Sequence, residues 1–263
     1  MISYRNILIF KIADIWFQNK RNLLVESDCA FVHYHDVHEQ LIDTKRMYSS
    51  RNSTTLQLSL LDDENIIMEN IEKNTRYEIK RAKRDGVVTT FYEKEQILNN
   101  LNILKEFNEQ YRNMHRRKGM KRENILSKLK SYAKHNMLTI SVTKCDGRNC
   151  AYHAYIVGNK IVRLLYSVSV FREVQDSTER NLIGRANRML HYDDMIYFKN
   201  MGYSIYDWGG YSKDPNLVGI NKFKNDFGGK AINTYHYIFA CSTPTIIALF
   251  IKQLRYRLHK IIQ

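Results

Sequence analysis

The stretch "MLTISVTKCDGRNCAYHAYIVGNKIVRLLYSVSVF", from Met137 to Phe171, alternates apolar and polar residues and breaks at Asp146-Gly147 and Gly158-Asn159. Period-two alternation puts one set of side chains on each face of a strand, and both breaks are hairpin-turn chemistry. Three antiparallel strands in a meander follow, and the rest of the chain has to be built around them. After the meander the period changes. Leu182 to Asn200 reads as a helix ending before Gly202, and "YSIYDW" reads as a strand. "YDWGGYSKDPNLVGINKFKNDFGGK" then reads as a Gly-rich loop joining it to a last strand, "NTYHYIFACS".

Upstream, "NILIFKIADIWF" reads as a strand, as do "CAFVHYH", "TTLQLSL" and "VVTTFY". "DDENIIMENIEKNTRYEIKRAKRDG" reads as one helix, with Asp62 or Asp63 as N-cap, Ile67, Ile71, Ile79 and Ala82 on its buried stripe, and Gly86 as its stop. Glu95 to Arg117 and Arg122 to His135 read as two more helices. "TPTIIALFIKQLRYRLHKIIQ", with Thr243 as N-cap and Pro244 in the first turn, reads as a basic amphipathic helix. That helix suits either an anionic membrane surface or the cap of a core. The expected class is α+β, with a boundary near Gly86.

Charge narrows the partners. Forty-one Lys+Arg against 27 Asp+Glu give +14, which favours a phosphate-bearing partner: a nucleotide, RNA or an anionic membrane face. Lys73 to Arg84 and "YRNMHRRKGMKR" concentrate that charge. No run approaches the roughly 18 apolar residues of a membrane span, and no cleavable leader is evident. Cys29, Cys145, Cys150 and Cys241 lack disulfide-framework or zinc spacing, so reduced thiols and a cytoplasmic location are expected. His33, His35 and His38 in "HYHDVH" could share a strand face. With no carboxylate or cysteine cluster to complete them, no metal site is expected.

Five of the eleven glycines fall between Asp207 and Gly229, a density suited to a site where backbone must turn or be approached closely. Lys224 lies there between Phe223 and Phe227, where a lysine needs a reason; Phe227 reads as core. His153 is either a proton acceptor or a structural histidine. Asp193 and Asp194 either orient a substrate or are solvated helix acids.

Three segments carry a family resemblance: "TRYEIKRAKRDGV", "GRANRMLHYDDMIYFKNMGYSIYDWGG" and "INKFKNDFGGK". Over roughly Thr55 to Lys230 the chain resembles the FemAB-type branch of the GNAT acyltransferase superfamily. The resemblance implies a GNAT-like mixed, mainly antiparallel sheet flanked by helices. It implies an acyltransferase domain over 86–263 and a truncated GNAT-like half-domain over 1–85. It makes Phe223 and Lys224 the catalytic pair; His153, as a proton acceptor, is a further catalytic candidate on its own chemistry.

Asn181-x-x-Gly184-x-Ala186, with Arg180 and Arg185, is similar to the turn on which GNAT enzymes hold the donor's pyrophosphate at a helix start. Arg76, Tyr77, Tyr166, Ser167, Ser169, Asp207, Trp208, Gly209 and Gly210 are the expected substrate-binding set. The implied activity is amide formation on an amino group of a cell-envelope glycan precursor, a nucleotide- or lipid-linked amino sugar. Two donors fit. The short chain and the Gly184 turn favour acyl-CoA, acetyl-CoA in particular; the resemblance itself favours aminoacyl-tRNA. No tightly bound cofactor is expected. A different class, a non-catalytic RNA or anionic-surface binding module that keeps the fold and its basic helices, is the further alternative.

Overall fold

The computed structural model describes residues 1–42, 45–121, 123–212 and 214–247. Its elements run β1 (Ile2–Ile7), β2 (Phe10–Trp16), α1 (Leu23–Asp28), β3 (Phe31–Val37), β4 (Met47–Ser59), α2 (Glu64–Glu69) and α3 (Lys73–Arg84). They continue with β5 (Val88–Tyr92), α4 (Lys94–Asn99), α5 (Asn102–Arg117), α6 (Leu126–Lys134), β6 (Leu138–Cys145), β7 (Arg148–Gly158) and β8 (Ile161–Ser169). The remainder is α7 (Ser177–Asn200), β9 (Ile205–Gly210), α8 (Val218–Asn225) and β10 (Lys230–Ala240). A further helix starts at 243, and the Ser242 hydroxyl, not Thr243, accepts the Thr245 N–H at its start. The basic amphipathic part of that segment lies outside the described residues.

The chain divides into two compact units, Met1–Ser53 with Asn233–Gln263, and Thr54–Ile232. This differs from a boundary at Gly86, because the buried stripe of α3, Ile79 and Ala82, joins the same core as Met189, Met195 and Phe198 of α7.

In the first unit the strand order is β1-β2-β3-β10-β4. The stretch expected as one strand, "NILIFKIADIWF", is a hairpin: Ile2 pairs Ile15 and Ile7 pairs Phe10. Its turn contains Leu8 at φ 54°, a left-handed position that no Gly or Asn announces in the sequence. One face of the sheet buries Ala13, Ile15, Val32, Tyr34 and Phe239.

In the second unit the order is β4-β9-β8-β7-β6-β5, antiparallel except for β8 and β9. The meander forms as its turn residues dictate: Asp146, Gly147, Asn159 and Lys160 all have positive φ. Helices flank both faces, α7 against β6 and β7 and α5 and α6 against β8 and β6. The single helix expected before Gly86 is two. Asp63 caps α2, the chain breaks after Asn70, and the Glu72 carboxylate caps α3 through the Thr75 N–H.

The expectation of four reduced thiols is corrected: Cys145 and Cys150 are joined, since the hairpin between them sets their Cα atoms 6.2 Å apart. Cys29 and Cys241 are buried free thiols. Among the described residues no helix is long and apolar enough to cross a membrane.

Candidate functional site

The parallel strands β8 and β9 pair through Ile161↔Ile205, Val162↔Tyr206 and Arg163↔Asp207, and the ladder stops there. Both strands continue, β8 to Ser169 and β9 to Gly210. On its other edge β9 stays attached to β4: the Gly209 carbonyl accepts from the Thr55 hydroxyl and the Tyr211 N–H donates to Thr54. Backbone groups alternate along a strand, so the carbonyls of Trp208 and Gly210 face the gap beside β8.

Lys224 fills that position. Its Nζ donates to the Trp208 carbonyl at 3.0 Å and to the Gly210 carbonyl at 2.6 Å. The side chain comes from α8, not from a loop as the glycine density suggested. Asp214, with Pro215 behind it, caps the short 3-10 turn Pro215–Leu217, and α8 grows from that turn. Two of the ammonium's three N–H groups are spent on carbonyls. They fix the nitrogen and leave the third for whatever enters the gap.

Burial pushes the Lys224 ammonium down to about 8, with Arg163 acting in the same direction and Asp207 opposing. The reaction proposed below relies on this cation, whose charge is lost as pH rises through that value. We expect the rate of the wild-type protein to fall above pH 8, and the Lys224→Arg variant, whose guanidinium stays charged, to lose that limb. Rate–pH profiles of the two proteins check it.

Behind the lysine, Asp207 is fully buried and saturated. It accepts from Arg163 at 3.1 Å, from Gln57 at 2.7 Å, from the Gly209 N–H at 2.7 Å and from the Thr55 hydroxyl. Asp207 is thus a structural acceptor and not a substrate contact. Arg163, its partner, was invisible as a lone charge in an apolar strand. Gly209 has φ +71°, and a methyl group on it would meet the Leu164 carbonyl oxygen at 2.8 Å. Gly209→Ala should destabilise the fold by about 1–3 kcal/mol, read as a lower midpoint in urea unfolding.

The α7 face of the meander carries a buried polar chain. His153 Nδ1 lies 2.7 Å from Asp194 Oδ2, the Tyr155 hydroxyl donates to the same oxygen at 2.6 Å and lies 2.7 Å from the Tyr206 hydroxyl, and His191 Nδ1 lies 3.0 Å from Tyr206. His191 packs on Trp208 and Phe223, ring centroids 4.4 and 5.5 Å away. Burial holds the His191 imidazole well below its ordinary range, aided by His153, Lys224 and Arg188, so the ring is neutral. His153 is 0% exposed, which removes it as a direct contact; it positions Asp194, which is likewise no solvated acid. Phe223 is half-buried with the Arg188 guanidinium 5.3 Å over its ring, and Trp208 and Phe227 are core.

The meander residues do not share one region. His153 pairs Ser167 and Ala154 pairs Tyr166, so Ser167 and Ser169 lie on the α7 face beside the gap. Tyr166 lies on the opposite face against Tyr111 of α5, ring centroids 4.9 Å apart. Arg76 donates to the carbonyls of Glu69 and Ile71 at 2.6 and 2.8 Å, closing the end of α2, while Tyr77 is 50% exposed. The turn that precedes their helix is nonetheless tied to the end of α8, since the Glu72 N–H donates to the Asp226 carbonyl at 2.7 Å. A cleft of about 410 Å³ opens at this junction, lined by residues that include Gln57, Asn70, Phe227, Gly228 and Gly229.

The donor turn is corrected. α7 starts at Ser177, capped by Asp176, so Asn181, Gly184 and Ala186 lie inside a helix whose N–H groups are already bonded. Arg185 is buried in an ion pair with Asp85 at 2.8 Å, Ala186 is core, and Arg180 stacks on Phe171. The groove of about 830 Å³ at the true start of α7 is lined by Asp85, Asp146, Glu173, Asp176 and Glu179 beside Arg81, Arg148 and Arg185. Those acids oppose a pyrophosphate there.

No protein family matches the chain by sequence, and no curated protein does either. Solved structures do. FemX superposes with a TM-score of 0.61 at 12% identity, over 92% of this chain and 84% of its own. A C-terminal domain (DUF2156) assigned to lysylphosphatidylglycerol synthetase from Agrobacterium fabrum has a TM-score of 0.50 at 13% identity, over 95% and 83%. L-PGS from Bacillus licheniformis has 0.50 at 10%, over 96% and 85%. The likeness is one of fold: a mixed, mainly antiparallel sheet flanked by helices, the architecture that the resemblance implied.

Proposed function

We propose that this chain is an acyltransferase that forms an amide on an amino group of a cell-envelope glycan precursor, and that its donor is an aminoacyl ester on tRNA. The observation that carries this is Lys224, pinned by two carbonyls where the β8–β9 ladder ends, with one N–H left to give. In the reaction the acceptor nitrogen attacks the ester carbonyl carbon, and the carbonyl electron pair moves onto oxygen. The remaining Lys224 N–H stabilises that oxyanion. Collapse breaks the C–O bond; the ribose hydroxyl leaves and takes up a proton, and the new amide nitrogen gives one up. Ser167 and Ser169, at the β8 side of the gap, line the acyl path.

Two features favour the tRNA donor over acyl-CoA. The helix-opening turn that argued for CoA is absent from the observed α7. The basic residues of α3 and the last turn of α5, with the +14 charge, suit a polyanion. The test is transfer of labelled amino acid from a charged tRNA pool, or of labelled acetyl from acetyl-CoA, onto UDP-linked and lipid-linked amino-sugar acceptors. Label in an alkali-stable amide from the tRNA pool supports the reading. Transfer from acetyl-CoA alone reverses the donor. Salt-sensitive tRNA binding without transfer to any acceptor replaces the enzyme with a binding module.

A further inference from the structure

The first unit contains a constellation that the proposed reaction does not use. β2 and β3 run parallel with Asp14 opposite His33 and Trp16 opposite His35, so Asp14, His33 and His35 share a face. The opposite face of the same strands is apolar core, with Ala13, Ile15, Val32 and Tyr34. The sequence expectation that no carboxylate completes the histidine pair is therefore corrected: the carboxylate comes from the neighbouring strand. Asp14 Oδ1 lies 2.8 Å from His35 Nε2 and 3.5 Å from His33 Nδ1. One ligand atom from each of the three lies within 4.8 Å of the others.

We propose that Asp14, His33 and His35 bind one divalent first-row transition-metal ion of the Zn²⁺ class. Two imidazole nitrogens and one carboxylate oxygen are the donor set such ions prefer, while Mg²⁺ and Ca²⁺ take oxygen alone. Bonds of about 2.0–2.1 Å at tetrahedral angles separate ligand atoms by about 3.3 Å, which the observed 2.8 and 3.5 Å bracket. Two neighbours hold the ligands in place, as outer partners of metal ligands do. Arg5 Nε donates to the other Asp14 oxygen at 2.9 Å, and Trp16 stacks on the His35 ring at 4.3 Å. Asp14 is fully buried, whereas the side chains of His33 and His35 are 21% and 18% exposed. An ion can therefore reach the histidine side, and a water can complete its shell.

The test uses the untagged full-length chain, stripped with EDTA and titrated with Co²⁺. We expect the visible d–d bands of a four-coordinate centre, saturating at one equivalent and displaced by Zn²⁺. His33→Ala and His35→Gln, each checked for fold by circular dichroism, should weaken Co²⁺ binding at least tenfold. Arg5→Gln should weaken it by about 10–100-fold, and His38→Ala should leave it unchanged. A titration without a saturable one-equivalent phase overturns the site and leaves the cluster as an ion pair. Binding that survives both histidine substitutions overturns it as well.

Discussion

Replacing Lys224 by methionine should lower turnover by about 10²–10³-fold, the cost of removing one preorganised donor to a developing oxyanion, while the protein keeps its fold. Methionine has similar length and apolar volume, so contacts along the stem survive; what disappears is the charge held at the end of the β8–β9 ladder. Because burial disfavours the Lys224 charge, its removal relieves a desolvation cost even as it strips donors from the Trp208 and Gly210 carbonyls. The two effects oppose, and the thermal midpoint should move little. The decisive measurement is single-turnover transfer with saturating donor, beside a thermal melt. Near-normal transfer in a folded Lys224→Met protein would reduce α8 to a structural element.

Asp207→Ala should act in the opposite way, costing about 3–5 kcal/mol of stability because it leaves the buried Arg163 guanidinium uncompensated. Asp207 is 0% exposed and Arg163 nearly so, with 3.1 Å between them. The same carboxylate receives Thr55 and Gln57 of β4 and the Gly209 N–H of β9, so β4 and β9 loosen together with β8. Urea unfolding followed by fluorescence measures the loss. Combining it with Arg163→Met, which removes the stranded charge, should recover part of it. An unchanged midpoint for Asp207→Ala would return this aspartate to the substrate-binding role expected from the sequence.

The contrast between these two residues marks what the sequence could disclose. The meander was legible because its turns need left-handed backbone, and Asp146-Gly147 and Asn159 supply it. Lys224 was legible because a lysine flanked by Phe223 and Phe227 contradicts a packing pattern. α8 was not, since five glycines in a short span looked like a loop; Asp214-Pro215, a helix-start signal, was the cue to weigh against them. The start of α7 was missed because its first turn, Ser177 to Arg180, is wholly polar and shows no apolar stripe. Asp176 followed by Glu179 was the available sign. The Arg163–Asp207 pair and the Asp14–His33–His35 cluster join strands that only the three-dimensional register brings together, and no local pattern encodes that register.

The tie between the α2–α3 turn and α8 also sets an order of assembly. Thr55 meets Asp207 across 152 residues, and Glu72 meets Asp226 from slightly farther along the chain. The local hairpins of the meander can close early, but contacts of such long loops form slowly. During synthesis the lysine's seat cannot exist until β9 and α8, which follow the meander in the chain, have left the ribosome. The reactive centre should therefore be the last part of its unit to mature, and refolding followed by transfer activity should lag behind refolding followed by β-sheet signal.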